Sequence, residues 1–154
     1  MLVSDPRLPF AWTAVTFPEQ RYVWFALKDP AVLRFTLLWF SNGGRHYPPW
    51  NGRHTEVMGL EEVTSYFHYG LAESLAKNSF NQRGFPTTVE LSKSNPTTVR
   101  YVMAVQAIPR GFDAVNDITL RAGQAILHSK NGKKIAAPMD TSFLQTRSLA
   151  QSSS

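Results

Sequence analysis

The sequence predicts an all-β fold, an antiparallel β-sandwich with at most one or two short helices. Its apolar runs are short, rich in Val, Tyr, Phe, Trp and Thr, and bounded by Pro, Gly, Asn or Asp, which is the punctuation of strands rather than helices. A second observation is the pair Asn131-Gly132 between two such runs, the strongest short signal for a hairpin turn. A third is composition. With 154 residues, 43% of them hydrophobic and 18% charged, the chain has the length and apolar content to bury a core and too little charge for a coiled coil or a solvated disordered chain.

Taken in order, Phe10 to Thr16, Arg21 to Leu27 and Val32 to Phe40 read as three successive strands. The last two are separated by Lys28-Asp29-Pro30, whose Asp-Pro start favours a turn, so an antiparallel meander is expected. Val57 to Leu60 is a further strand, running into Glu61-Glu62. Gly70 to Lys77 places Leu71, Ala72, Leu75 and Ala76 on one helical face but spans barely two turns, so it reads as a connector. In Val99 to Gln106, alternation sets Val99, Tyr101, Met103 and Val105 on an apolar face for the core. Thr98, Arg100, Val102, Ala104 and Gln106 lie on a mixed face for solvent or a ligand. Gln124 to Ser129 and Lys134 to Ala137 flank the turn at Lys130-Asn131-Gly132-Lys133. Residues 1–145 read as a single β-sandwich domain and the small, polar residues 146–154 as a flexible tail.

Charge and residue usage narrow the partners. Sixteen Lys and Arg against eleven Asp and Glu leave a net charge of +5. The basic residues are scattered singly, Lys133-Lys134 being the one adjacent pair, so the contiguous patch of a nucleic-acid binder is absent and no nucleic-acid partner is expected. No basic segment precedes an apolar run at the start, and runs such as Phe35 to Phe40 fall far short of the ~20 residues that cross a bilayer. No membrane partner and a cytoplasmic location are the expectation. The absence of cysteine excludes disulfides, a thiol nucleophile and thiolate metal sites. His46, His54 and His68 with Glu61 and Glu62 fit none of the short metal-binding spacings, so neither a metal nor a cofactor is expected. A serine nucleophile elbow and a phosphate-binding loop are also missing.

Residues 39–70 stand apart, crowding aromatic, His, Arg, Asn and Glu residues around Gly and Pro. A sugar site needs that mixture: rings stack on the C–H face of a pyranose, while amides, guanidinium groups and carboxylates pair with its hydroxyls. Trp39, Tyr47, Trp50, Tyr66 and Phe67 offer rings. Asn42, Arg45, Asn51, Arg53, Glu61 and Glu62 offer polar partners. The alternative use of this segment is structural, with aromatic residues plugging the end of a sandwich. Within the strand, Glu61 shares a face with Gly59, which leaves open space beside it, and Val57 and Val63 supply partial burial. Met58 and Leu60 face the core, and Glu62 falls at the strand's wet end.

The run from Leu38 to Tyr47, including Asn42-Gly43-Gly44-Arg45-His46, together with Pro49-Trp50-Asn51-Gly52-Arg53-His54 and Gly59-Leu60-Glu61-Glu62, resembles the C-terminal half of galactose mutarotase-like (aldose 1-epimerase-like) proteins. The resemblance extends more weakly from about Tyr22 to Leu144. It implies part of a larger sandwich whose concave sheet binds a sugar or sugar derivative and interconverts its anomers, with Glu61 as catalytic base. Asn42, Arg45, His46, Trp50, Asn51, Arg53 and His54 would line the sugar site. The family's acid histidine comes from the N-terminal half, and His46, His54 and His68 do not sit in its motif. Two readings therefore stay open: an aldose 1-epimerase-like isomerase, and a non-catalytic sugar-binding or truncated interaction module lacking the general acid. Half a sandwich also leaves an exposed sheet face or edge through which the chain would self-associate.

Overall fold

A computed structural model describes residues 1–145. The expected tail, 146–154, lies outside the described residues. The fold is all-β: strands β1 (Leu2–Val3), β2 (Ala11–Phe17), β3 (Tyr22–Lys28), β4 (Phe35–Ser41), β5 (Val57–Val63), β6 (Tyr101–Ala107), β7 (Val115–Arg121), β8 (Gln124–Ser129) and β9 (Lys134–Pro138). They form three antiparallel sheets of order β1-β4-β5, β2-β3-β6 and β7-β8-β9. Two short helices, α1 (Leu71–Leu75) and α2 (Ser142–Gln145), complete the regular structure with one 3₁₀ turn at Asn81–Arg83. No helix among the described residues is long and apolar enough to cross a membrane. The chain separates into two compact units, one of Met1–Asp5 with Ala31–Thr97, the other of Pro6–Pro30 with the chain from Thr98 onward.

In the second unit, sheets β2-β3-β6 and β7-β8-β9 share one core. Val23, Phe25 and Leu27, alternate residues of β3, are fully buried there with Ile118 of β7, Ala125 and Leu127 of β8 and Ala137 of β9. The β8–β9 hairpin forms around the Asn-Gly pair. Its turn is tied down by Asn131 Nδ2 donating to the Gly111 carbonyl at 2.5 Å and Lys133 Nζ donating to the Arg110 carbonyl at 2.6 Å.

Strand β6 reverses the expected faces. Met103 and Val105 are 61% and 64% exposed, while Val102 and Ala104 pack against the core. Register is the reason: Val102 sits opposite Leu27 and Ala104 opposite Phe25, and cross-strand partners share a face. The fully buried residues of β3 thus decide which side of β6 turns inward, overriding the larger side chains of the other set.

The expected meander is also corrected. Strand β3 has β2 on one edge and β6 on the other, so the strand after Asp29-Pro30 finds no free edge and pairs instead with β1 and β5 in the other unit. Asp29 extends the β3–β6 ladder, its N–H donating to the Arg100 carbonyl at 3.0 Å and its carboxylate pairing with the Arg100 guanidinium at 3.6 Å.

At α2, Asp140 Oδ1 accepts the Ser142 hydroxyl at 2.7 Å and the Ser142 N–H at 2.9 Å. Those two bonds, the hydroxyl first, hold the Asp140 carboxyl below its ordinary value of 3.8. A carboxyl lowered by folding contributes stability above its unfolded value and loses it as the pH falls through the folded one. Carbon-detected NMR titration should give a midpoint below 3.8, and Ser142→Ala should move it upward.

The first unit is built around sheet β1-β4-β5. Fully buried Phe35 packs on Phe80 at 5.2 Å, and Phe80 joins a ring cluster with Tyr66 and Phe67. Helix α1 docks differently from expectation: Leu71 and Leu75 are 70% and 65% exposed, and the residue it buries is Ser74. The Ser74 hydroxyl donates to the Gly70 carbonyl and accepts the Tyr66 N–H, while its own carbonyl accepts the Thr87 hydroxyl at 2.6 Å. Asn78 Nδ2 closes the network on Thr87 at 3.1 Å. Five residues are too few for an apolar stripe to anchor a helix, and buried hydrogen bonds fix it instead.

Candidate functional site

The site lies within the first unit. Residues 42–56 connect β4 to β5 as a folded loop whose close contacts specify glycine. Gly43, at φ 74°, donates to the His54 carbonyl at 3.0 Å, and a Cβ there would meet Thr55 Cγ2 at 3.1 Å and the Gly52 carbonyl at 3.2 Å. Gly52 N–H donates to the Arg45 carbonyl at 2.8 Å. The Ser41 hydroxyl donates to the His54 carbonyl at 2.6 Å, so the 3.0 Å contact between Ser41 Oγ and His54 Nδ1 requires the ring nitrogen to be the donor. His54 is thereby oriented, its ring 5.2 Å from Trp39 and 5.4 Å from Trp50.

Arg45 approaches both of these indoles. The guanidinium carbon lies 5.1 Å from the Trp39 ring and 5.2 Å from the Trp50 ring, within cation–π range of both. The Arg45 guanidinium has no hydrogen-bond or ion-pair partner among the described residues, so its N–H groups are available to a ligand.

Trp39 stands directly opposite Gly59 in the β4–β5 ladder. A Cβ at Gly59 would lie 3.1 Å from Trp39 Cε3 and 3.6 Å from Glu61 Oε1, so the indole lies across the glycine and the carboxylate leans to the same spot. The space expected to open beside Glu61 is filled by the Trp39 ring. Glu61 is exposed rather than partly buried, because its cross-strand partner is only Leu37 and its same-face neighbour Val57 is itself exposed. Glu62, expected at the wet end, is half-buried on the opposite face and accepts the hydroxyl of buried Thr36 at 2.7 Å. Met58, expected in the core, is exposed on that face.

A cavity of about 600 Å³ is lined by Trp39, Arg45, Trp50, Glu61, Phe67 and His68, with Leu37 and Phe40 at its apolar wall. Of the eight residues that the resemblance assigns to the sugar site, Arg45, Trp50 and Glu61 meet there, and of the other rings read from the sequence Trp39 and Phe67 join them. His54 supports the two indoles without lining the cavity, and Asn42, His46, Asn51 and Arg53 do not line it. Arg53 donates to the Pro49 carbonyl at 3.4 Å and His46 packs beside Gly52, so both shape the loop. Phe67 and His68 enter the cavity from the segment after β5. In the sequence His68 has weight only as a metal ligand, and the described residues contain no group of three side chains suited to a metal. The signal that could have found it is its place in the same aromatic-rich segment as Glu61.

Compared with family models, with curated proteins and with solved structures, the chain matches none.

Proposed function

We propose that this cavity binds a sugar and that Glu61 and His68 act on it as an aldose 1-epimerase-like acid–base pair. One observation carries the reading: a guanidinium unpaired among the described residues and within cation–π range of two indoles lines the same cavity as a carboxylate. Indole faces suit pyranose C–H groups, and the Arg45 and Glu61 side chains donate to and accept from its hydroxyls. The resemblance of Leu38–Tyr47, Pro49–His54 and Gly59–Glu62 to galactose mutarotase-like proteins supports it, since six residues of those segments, Leu38, Trp39, Phe40, Arg45, Trp50 and Glu61, line this one cavity.

In the reaction, the Glu61 carboxylate takes the proton of the anomeric hydroxyl while the bond from C1 to the ring oxygen breaks and that oxygen takes a proton from His68. The open-chain aldehyde turns about its C1–C2 bond, and the reverse transfers close either anomer. His68 thus occupies the acid role that the resemblance assigns to a residue outside the matched segments.

Calorimetric titration with glucose and galactose tests the binding. Arg45→Ala should raise Kd on the order of tenfold or more, the loss of a charge-assisted hydrogen bond. Polarimetry on freshly dissolved α-hexoses tests the chemistry, the protein accelerating the drift to equilibrium. Binding without acceleration is the second reading, favoured by the exposure of Glu61.

A further inference from the structure

Phe67 and His68 line a second cavity as well. It measures about 400 Å³, lies within the same unit, and is otherwise walled by Leu71 and Val89 and by hydroxyl side chains including Thr88. The two cavities are therefore neighbours divided by one pair of residues. The divider is held in place: Phe67 sits at φ 52°, a left-handed conformation rare for an aromatic residue. Its carbonyl accepts the Ser65 hydroxyl at 2.8 Å, and its ring packs against Tyr66, Tyr69 and Phe80.

The chemistry of the second cavity is that of the first without its charges. Apart from His68, no ionisable side chain lines it. Leu71 and Val89, both exposed large apolar residues, offer a surface for C–H groups, and the Thr88 hydroxyl offers a polar contact. A neutral, polyhydroxylated group with an apolar face fits this lining, whereas a phosphate or carboxylate would find no arginine or lysine. Either cavity alone falls within the roughly 300–1,000 Å³ range that holds a single drug-sized ligand, which is larger than one pyranose ring.

We infer that the two cavities are adjoining subsites for linked sugars, so that the ligand is a disaccharide or longer glycan rather than a free monosaccharide. One ring stacks at Trp39 and Trp50, the next lies against Leu71 and Val89, and the linkage crosses Phe67 and His68. This rests on the sugar reading of the first cavity.

The test is calorimetry with glucose, galactose, cellobiose, maltose and β-1,4-galactobiose. At least one disaccharide should bind about tenfold tighter than its own monosaccharide. Leu71→Glu, at an exposed helical position where a charge is tolerated by the fold, should bring that disaccharide's Kd to within about twofold of the monosaccharide's. Phe67→Asn, which removes the ring but keeps a residue suited to positive φ, should do the same. Monosaccharides binding as tightly as every disaccharide, or a disaccharide gain that survives Leu71→Glu, would overturn the two-subsite inference and leave the first cavity's sugar reading standing. No binding of any of the five sugars would overturn both.

Discussion

Glu61→Gln is expected to slow hexose anomerisation by about 10²- to 10⁴-fold, the usual worth of a positioned general base. The substitution keeps the shape and the hydrogen-bonding oxygen of the side chain while removing its ability to accept the anomeric proton. Glu61 is exposed and its carboxylate has no hydrogen-bond or ion-pair partner among the described residues, so the fold should not register the change, and the thermal midpoint serves as control. Hexose affinity should change far less than the rate, because the Trp39–Arg45–Trp50 cluster is untouched. If the Glu61→Gln protein anomerises hexoses at the parent's rate, Glu61 leaves the mechanism.

The strands are legible in the sequence because their punctuation is local. Residues such as Pro30, Gly70 and Asn131-Gly132 end or turn the chain wherever they stand, and the seven strands read from the sequence lie within a few residues of expectation, whereas β1 and β7 are not among them. Pairing is not local, and there the expectations fail. Asp29-Pro30 looks like a hairpin turn until both edges of β3 are known to be taken, by β2 and by β6. Whether Met103 or Val102 turns inward depends on which residue of β3 each one faces, and nothing within β6 itself carries that information.

The site shows the same division. Arg45, Trp50 and Glu61 can be selected because their chemistry is unusual for a Gly- and Pro-rich loop and its following strand, and all three reach the cavity. His46, Asn51 and Arg53 have equally suitable chemistry, but the backbone of the loop uses them for its own shape: Asn51 takes a left-handed conformation at φ 48°, and Arg53 closes on Pro49. The contribution of Phe67 and His68 depends on a positive φ at Phe67 that its residue type does not advertise. Gly59 reads as open space in the sequence, whereas cross-strand register makes it the floor beneath Trp39.

Phe25→Ala is expected to cost about 3–5 kcal/mol of unfolding free energy, the range for truncating a fully buried aromatic side chain. Phe25 is 0% exposed at the centre of β3, with β2 and β6 on either side, so no strand edge can relax into the space it leaves. Urea unfolding gives the free energy, and protection of the β3 amides against hydrogen exchange localises the loss. The informative companion is Met103→Ala. By alternation along β6 alone it would be a core truncation costing about 2–5 kcal/mol. With 61% of Met103 exposed and Ala104, its neighbour in sequence, opposite Phe25, the cost should stay within about 0.5 kcal/mol. Because a slip of one residue in the β3–β6 pairing would exchange the two faces of β6, a large loss at Met103 would mean that register, and with it the packing of the Phe25 core, is different from that described.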